Sequence, residues 1–184
     1  MRTECATSPL TINHIAFGDL LIGHAKNDPL ELIRAKSLWT NTKTKISTTD
    51  SLLKARWSKL FWNVPFSGLS VVLGGVSIDV IAADSDLREL ANLIMDELID
   101  LANTDLIASG FDGDFDSTDV KTKMWHLTDN MGAYKTSILL DLVAGRDLEV
   151  EYIFSRVLAR GRTHSHSSAI NRWPHLTTLC LQVP

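Results

Sequence analysis

Residues 57–70 read WSKLFWNVPFSGLS: two tryptophans, two phenylalanines and two leucines surround Lys59 and Asn63. Residues four apart lie one above the other on a helix, so Lys59, Asn63 and Ser67 make a polar stripe. Trp57, Leu60, Phe61 and Val64 follow the spacing of a core-facing stripe beside it. A lysine bordering a buried face either carries its ammonium out to water on its apolar stem or is kept for chemistry. The stretch alone leaves both readings open. Pro65, which has no N–H, predicts a kink or an end of the helix nearby.

At 184 residues the chain suits one domain, or one domain with part of another. Hydrophobic residues at 45% and charged residues at 22% are enough to bury a real core. A net charge of −4 and a pI near 5.8 do not favour a nucleic-acid backbone or an anionic membrane as partner. Cys5 and Cys180 form no CxxC pattern; their pairing stays open, and nothing argues for an oxidising compartment. The N-terminal residues MRTECATSPLTINH lack the apolar core of a secretory signal, and no run nears the roughly 18 apolar residues of a membrane span. Cytoplasmic localisation is the expectation.

Outward from the opening stretch, residues 9–23 partly alternate apolar and polar and predict one strand or a short hairpin. Such a pair is marginal alone, so it must lean on something else. Asp28 and Pro29 predict a helix start, residues 42–48 an exposed extended segment, and Thr49 or Asp50 the cap of the helix carrying Lys59. Residues 85–105 show the clearest helical period, with Leu87, Leu90, Ile94, Leu98 and Leu101 on one stripe and Asp86 with Glu89 as a capping box. Further helices are expected over 119–131, from about Tyr134, and over 147–161 with its end at Gly161. Residues 162–173 read as loop, and Pro174 opens a last helix. The sum is mainly α with a little β at the front.

Three clusters have ordinary explanations. Asp112, Asp114 and Asp116 have the spacing of calcium-loop ligands, but the sixth and twelfth positions are Ser117 and Lys123 instead of Gly and Glu, so a solvated acidic loop is expected. Lys135 in GAYKTS lacks the glycines and strand of a phosphate loop. His164, His166 and His175 have no carboxylate close in sequence and read as exposed loop histidines, so no metal is expected. No GxGxxG occurs, so the chain has no dinucleotide fingerprint. Lys59, Asn63, Ser137 and Glu149 are the remaining set: an acid, an amide, a hydroxyl and a carboxylate, suited to a carbonyl whose oxygen gains a proton.

The motifs W-x-K-L-x-x-N at 57–63, S-x-x-x-D at 137–141 and G-R-x-x-E at 145–149 occur in that order. With the helix holding Glu97 and the closing PHLTTL, they resemble the C-terminal domain of the ketopantoate reductases (2-dehydropantoate 2-reductases) from about residue 9 onward. The resemblance implies a helical C-terminal domain of the 6-phosphogluconate-dehydrogenase-like type over 26–184, preceded over 1–25 by a short β remnant of an NADPH-binding Rossmann domain. It implies NADPH-dependent reduction of 2-dehydropantoate to (R)-pantoate in the route to pantothenate and coenzyme A. Lys59 matches the general acid, Glu149 the acidic residue beside it, and Asn63 and Ser137 substrate-binding groups. Ser67 stands where the family often has a second asparagine, which puts substrate affinity or identity in question. Homo-oligomers through the helical domain are also implied.

Without the glycine-rich turn, a fragment, a broken reading frame or half of a split enzyme is the expectation, with poor NADPH binding. The alternative is a non-catalytic helical module kept for dimerisation or partner binding.

Overall fold

The computed structural model describes residues 2–5, 12–16, 19–164 and 172–184. They form two compact units, residues 1–56 and 57–184. The first unit takes in a strand and a helix beyond residue 25 and ends within the helix Leu52–Trp62.

In the first unit β1 (Arg2–Cys5) pairs antiparallel with β2 (Ile12–Ala16). β3 (Leu20–Gly23) pairs in parallel with β4 (Ile46–Thr49), Leu20 opposite Ile46 and Gly23 opposite Thr49. The two strands within 9–23 therefore do not pair as a hairpin; each has its partner elsewhere. A parallel pair needs a long crossover, and α1 (Pro29–Ser37) supplies it. The Asp28 carboxylate caps α1, accepting from Leu30 and Glu31 N–H at 2.9 and 3.2 Å. α1 buries none of its side chains.

α2 (Leu52–Trp62) begins one residue later than expected: Ser51, not Thr49 or Asp50, caps it, its hydroxyl accepting from Lys54 N–H at 3.2 Å. At Pro65 the helix neither breaks nor stops. It widens into a π turn (Asn63–Ser67) and resumes as α3 (Gly68–Val72). Widening meets both demands of the proline, its missing donor and its clash with the carbonyl four residues back.

In the second unit α4 (Ile78–Ala83) leads into α5 (Ser85–Ala108), the central helix, with Ile94, Met95, Leu98, Leu101, Ala102 and Leu106 buried. Asp84 caps α5, accepting from Asp86 and Leu87 N–H, so the Asp86/Glu89 box lies inside the helix instead of starting it. α6 (Ser117–Thr128) and α7 (Ser137–Val143) follow. α7 begins at Ser137, not near Tyr134, because the Thr136 hydroxyl accepts from Leu139 N–H at 3.2 Å. The stretch expected as one helix over 147–161 instead opens with a second π turn (Glu151–Ser155) before α8 (Arg156–His164).

Gly161 does not end α8. A Cβ there would lie 2.6 Å from Trp173 Cζ3 and 2.9 Å from Leu101 Cδ1, so this glycine is where three elements close on one another. Residues 162–164 are helical, not loop, and residues 165–171 of the expected loop, His166 among them, lie outside the described residues. α9 (Pro174–Gln182) closes the fold, packed on α5 and α3. Among the described residues no helix is long and apolar enough to cross a membrane.

Candidate substrate site

The opening stretch behaves as two faces of one helical path. Of the core stripe, Trp57, Phe61 and Val64 are buried and Leu60 is half-buried; Phe66, outside the stripe, is buried as well. The Trp57 indole N–H donates to Asp105 Oδ2 at 2.9 Å, and Arg160 Nε donates to Asp105 Oδ1 at 2.9 Å, so one carboxylate buried on α5 ties down α2 and α8. That bond fixes the rotation of α2 about its axis, and with it the direction in which the opposite stripe faces.

The opposite stripe is graded. Lys59 is exposed, Asn63 half-buried and Ser67 buried, so three polar groups step from the surface inward. None of their side chains has a hydrogen-bond or ion-pair partner among the described residues, although the Ser67 residue is only 4% exposed. Beside them Trp62 forms an apolar wall, stacked on Phe66 at 5.5 Å and edge-on to Tyr134 at 6.0 Å. Its indole N–H donates to Thr128 Oγ1 at 3.1 Å, which leaves the ring little freedom.

The other site residues come from neighbouring elements. Ser137, exposed, is the first residue of α7, which packs on the first π turn. Glu149, exposed, precedes the second π turn, and the two π turns pack on each other. The elements carrying Asn63, Ser67, Ser137 and Glu149 are thus adjacent. Lys59 and Glu149 form no ion pair among the described residues. π turns are wide, uncommon and frequent at functional sites, and here two of them meet.

The remaining clusters have structural roles. The Asp116 carboxylate caps α6, accepting from Asp119 N–H at 2.9 Å. His175 Nδ1 lies 2.6 Å from Glu97 Oε1, and Glu97 also accepts the His175 and Leu176 N–H groups at the start of α9. No grouping of three His, Cys, Asp or Glu among the described residues could hold a metal ion. Cys180 is a buried free thiol that burial pushes up to about 12, so it offers no thiolate near neutral pH.

The family model described as "Ketopantoate reductase PanE/ApbA C terminal" matches residues 51–173. The chain belongs to the ketopantoate reductase family. A 2-dehydropantoate 2-reductase from Nostoc sp. (strain PCC 7120) is 30% identical over 157 residues, covering 82% of this chain and 47% of that protein. The crystal structure of 2-dehydropantoate 2-reductase from Geobacter metallireducens GS-15 superposes with a TM-score of 0.84 at 31% identity, over 100% of this chain and 58% of that one. A dimeric ketopantoate reductase from Staphylococcus aureus, 18% identical, shares the fold with a TM-score of 0.78 over 100% of this chain and 58% of its own. The chain therefore spans about half the length of these ketopantoate reductases, matching the helical C-terminal domain together with a short run of strands before it.

Two features of the site were not read from the sequence. Asp105, 48 residues from Trp57, gives no local sign that it would meet the indole. Trp62 was visible only as one more aromatic residue in an apolar run.

Proposed function

We propose that this chain carries the substrate-binding and proton-donating groups of a 2-dehydropantoate 2-reductase. The observation that carries this reading is the graded stripe of Lys59, Asn63 and Ser67, polar groups without side-chain partners among the described residues, on a helix whose other face is locked in the core. A buried hydroxyl left unpaired costs free energy, about 1–3 kcal/mol, that a bound ligand recovers. Family membership supports a 2-oxo acid as that ligand. Lys59 is the general acid: as the keto carbon is reduced, negative charge grows on its oxygen and the Lys59 ammonium gives that oxygen a proton. The Asn63 amide and the Ser67 and Ser137 hydroxyls hold the carboxylate and the far hydroxyl of the substrate. Glu149 is the acidic partner of that lysine and of the bound ligand in this proposal. A homo-oligomer formed through the helical unit is part of the same proposal.

The residues of this chain do not fit NADPH, the family's reductant. No GxGxxG is present in the sequence. In the first unit the turn from β3 into α1 ends on Asp28, whose carboxylate occupies the N-terminus of α1, so that helix end offers no phosphate site. The proposal accordingly assigns this chain the carbonyl side of the reaction and no cofactor-holding group.

Calorimetric titration with 2-dehydropantoate, with NADPH oxidation followed on the same sample, tests the reading. Saturable binding that Lys59→Ala weakens is expected. Absence of binding at millimolar substrate would sink it, and NADPH turnover by this chain alone would overturn the division of roles.

A further inference from the structure

Two charged residues of the ordered motifs have no role in the proposed chemistry: Asp141 and Arg146. They bind each other. α7 ends on Gly145, which adopts the left-handed conformation at φ 63°. Gly145 N–H donates to the Leu142 carbonyl at 3.1 Å and Arg146 N–H to the Asp141 carbonyl at 2.9 Å, the paired reversed bonds of a glycine-terminated helix. In that pattern the residues at the places of Asp141 and Arg146 commonly bring apolar side chains together. Here an ion pair stands instead. Arg146 Nε donates to Asp141 Oδ1 at 2.7 Å, and a second guanidinium nitrogen lies 2.6 Å from the same oxygen. The Asp141 side chain is 27% exposed and that of Arg146 59%, so the pair is half-shielded from solvent.

Only Asp147 and Leu148 separate this cap from Glu149, whose carbonyl accepts from Ile153 N–H at 3.1 Å as the second π turn begins. Glu149 thus sits on a short tether between two fixed points. An apolar contact would hold the cap shut without fixing the guanidinium. Two nitrogens on one oxygen also fix its direction, and with it the course of the chain leaving α7.

We propose that Asp141 and Arg146 are positioning residues for Glu149, their ion pair setting the path of 147–148 so that the Glu149 carboxylate meets the 2-oxo acid. The proposal rests on the site role given to Glu149 above. Neither residue touches the substrate. The spacing S-x-x-x-D followed by G-R-x-x-E then has a single explanation: the first and last members meet the ligand, and the middle ones aim the last.

The test is a double-mutant cycle in the whole chain, titrated calorimetrically with 2-dehydropantoate. Arg146→Ala and Asp141→Ala are each expected to weaken binding about fivefold, the upper end for a half-exposed ion pair, and the double variant no more than either alone. The Arg146→Ala effect should vanish in a Glu149→Gln background. Additive losses there would mean that Arg146 meets the ligand itself, which overturns the proposal. Amide exchange without ligand gives a second reading. Arg146→Ala should quicken exchange at the Arg146 and Ile153 amides about fivefold, while Glu149→Gln leaves them unchanged. Unchanged exchange in Arg146→Ala overturns the positioning role whether or not ligand binds. If exchange responds as expected but the wild-type chain takes up no 2-dehydropantoate, the clamp stands and the substrate assignment fails.

Discussion

Asp105 and Ser67 are both buried polar residues, 1% and 4% exposed, and the protein treats them in opposite ways. Around Asp105 the carboxylate is engaged by the Trp57 indole and the Arg160 guanidinium, so three helices share one buried charge. Around Ser67, ten residues further along the same helical path, a hydroxyl is shut away with no bond among the described residues. The first region fulfils its hydrogen-bonding needs within the chain. The second leaves them unmet among the described residues, and under the proposed function a ligand meets them. On that reading stability and binding fall to different parts of one helical path, and each can be perturbed without the other.

Removing Asp105 should have the largest effect on stability. Asp105→Ala leaves the Trp57 N–H buried and unpaired while the half-exposed Arg160 returns to water, so unfolding free energy should fall by about 2–4 kcal/mol. A denaturant titration showing a loss under about 1 kcal/mol would break the contrast between the two regions. Gly161→Ala comes next. With Trp173 and Leu101 so close, the added methyl forces a shift costing about 1–3 kcal/mol, read from the same titration.

Ser67→Ala sharpens the contrast from the other side. With no hydrogen bond to lose among the described residues and an unpaired buried hydroxyl removed, the free chain should be more stable by about 1–3 kcal/mol while 2-dehydropantoate binds about fivefold more weakly. A large stability loss would show that the hydroxyl has a protein partner after all.

The smallest effect concerns acid. Burial raises the Asp100 carboxyl, but hydrogen bonds from Arg172 and Trp173 and the Arg172 charge outweigh it, and the group lies below its ordinary 3.8. A depressed carboxylate stabilises the fold above the unfolded value and loses that contribution as pH falls through the folded one. The denaturation midpoint should therefore drop below about pH 4, and Asp100→Asn should flatten that drop.

What could be read from the sequence was local. The Asp28 cap and the stripe of α5 are set by spacings of four residues or fewer, and the structure has them as expected; the line of Lys59, Asn63 and Ser67 rests on the same spacing, and its last step runs through the π turn. Where two local signals competed, position was lost by a residue or a turn. Asp84 took the cap expected of Asp86, and Ser51 that expected of Thr49 or Asp50. Gly161 was misread because a glycine near the end of an apolar period signals a helix stop as readily as a packing gap. The partner of β3 lies across a whole helix, and Asp105 lies far from Trp57 in sequence; no pattern within a window could show either. The second π turn has no proline to announce it, unlike the first.

The first π turn has one more consequence. Such a turn holds one residue more than the α-helical turn it replaces, so it keeps the phase of everything after it. A one-residue deletion within 63–67 would leave a continuous helix with nearly the same composition, yet would rotate α3 by about 100° relative to α2. Buried Leu69 and Val71 would swing toward solvent, and Gly68, which lies against Leu179, would be replaced at that contact by a residue with a side chain. Along this stretch the number of residues is as much a part of the packing as their identity.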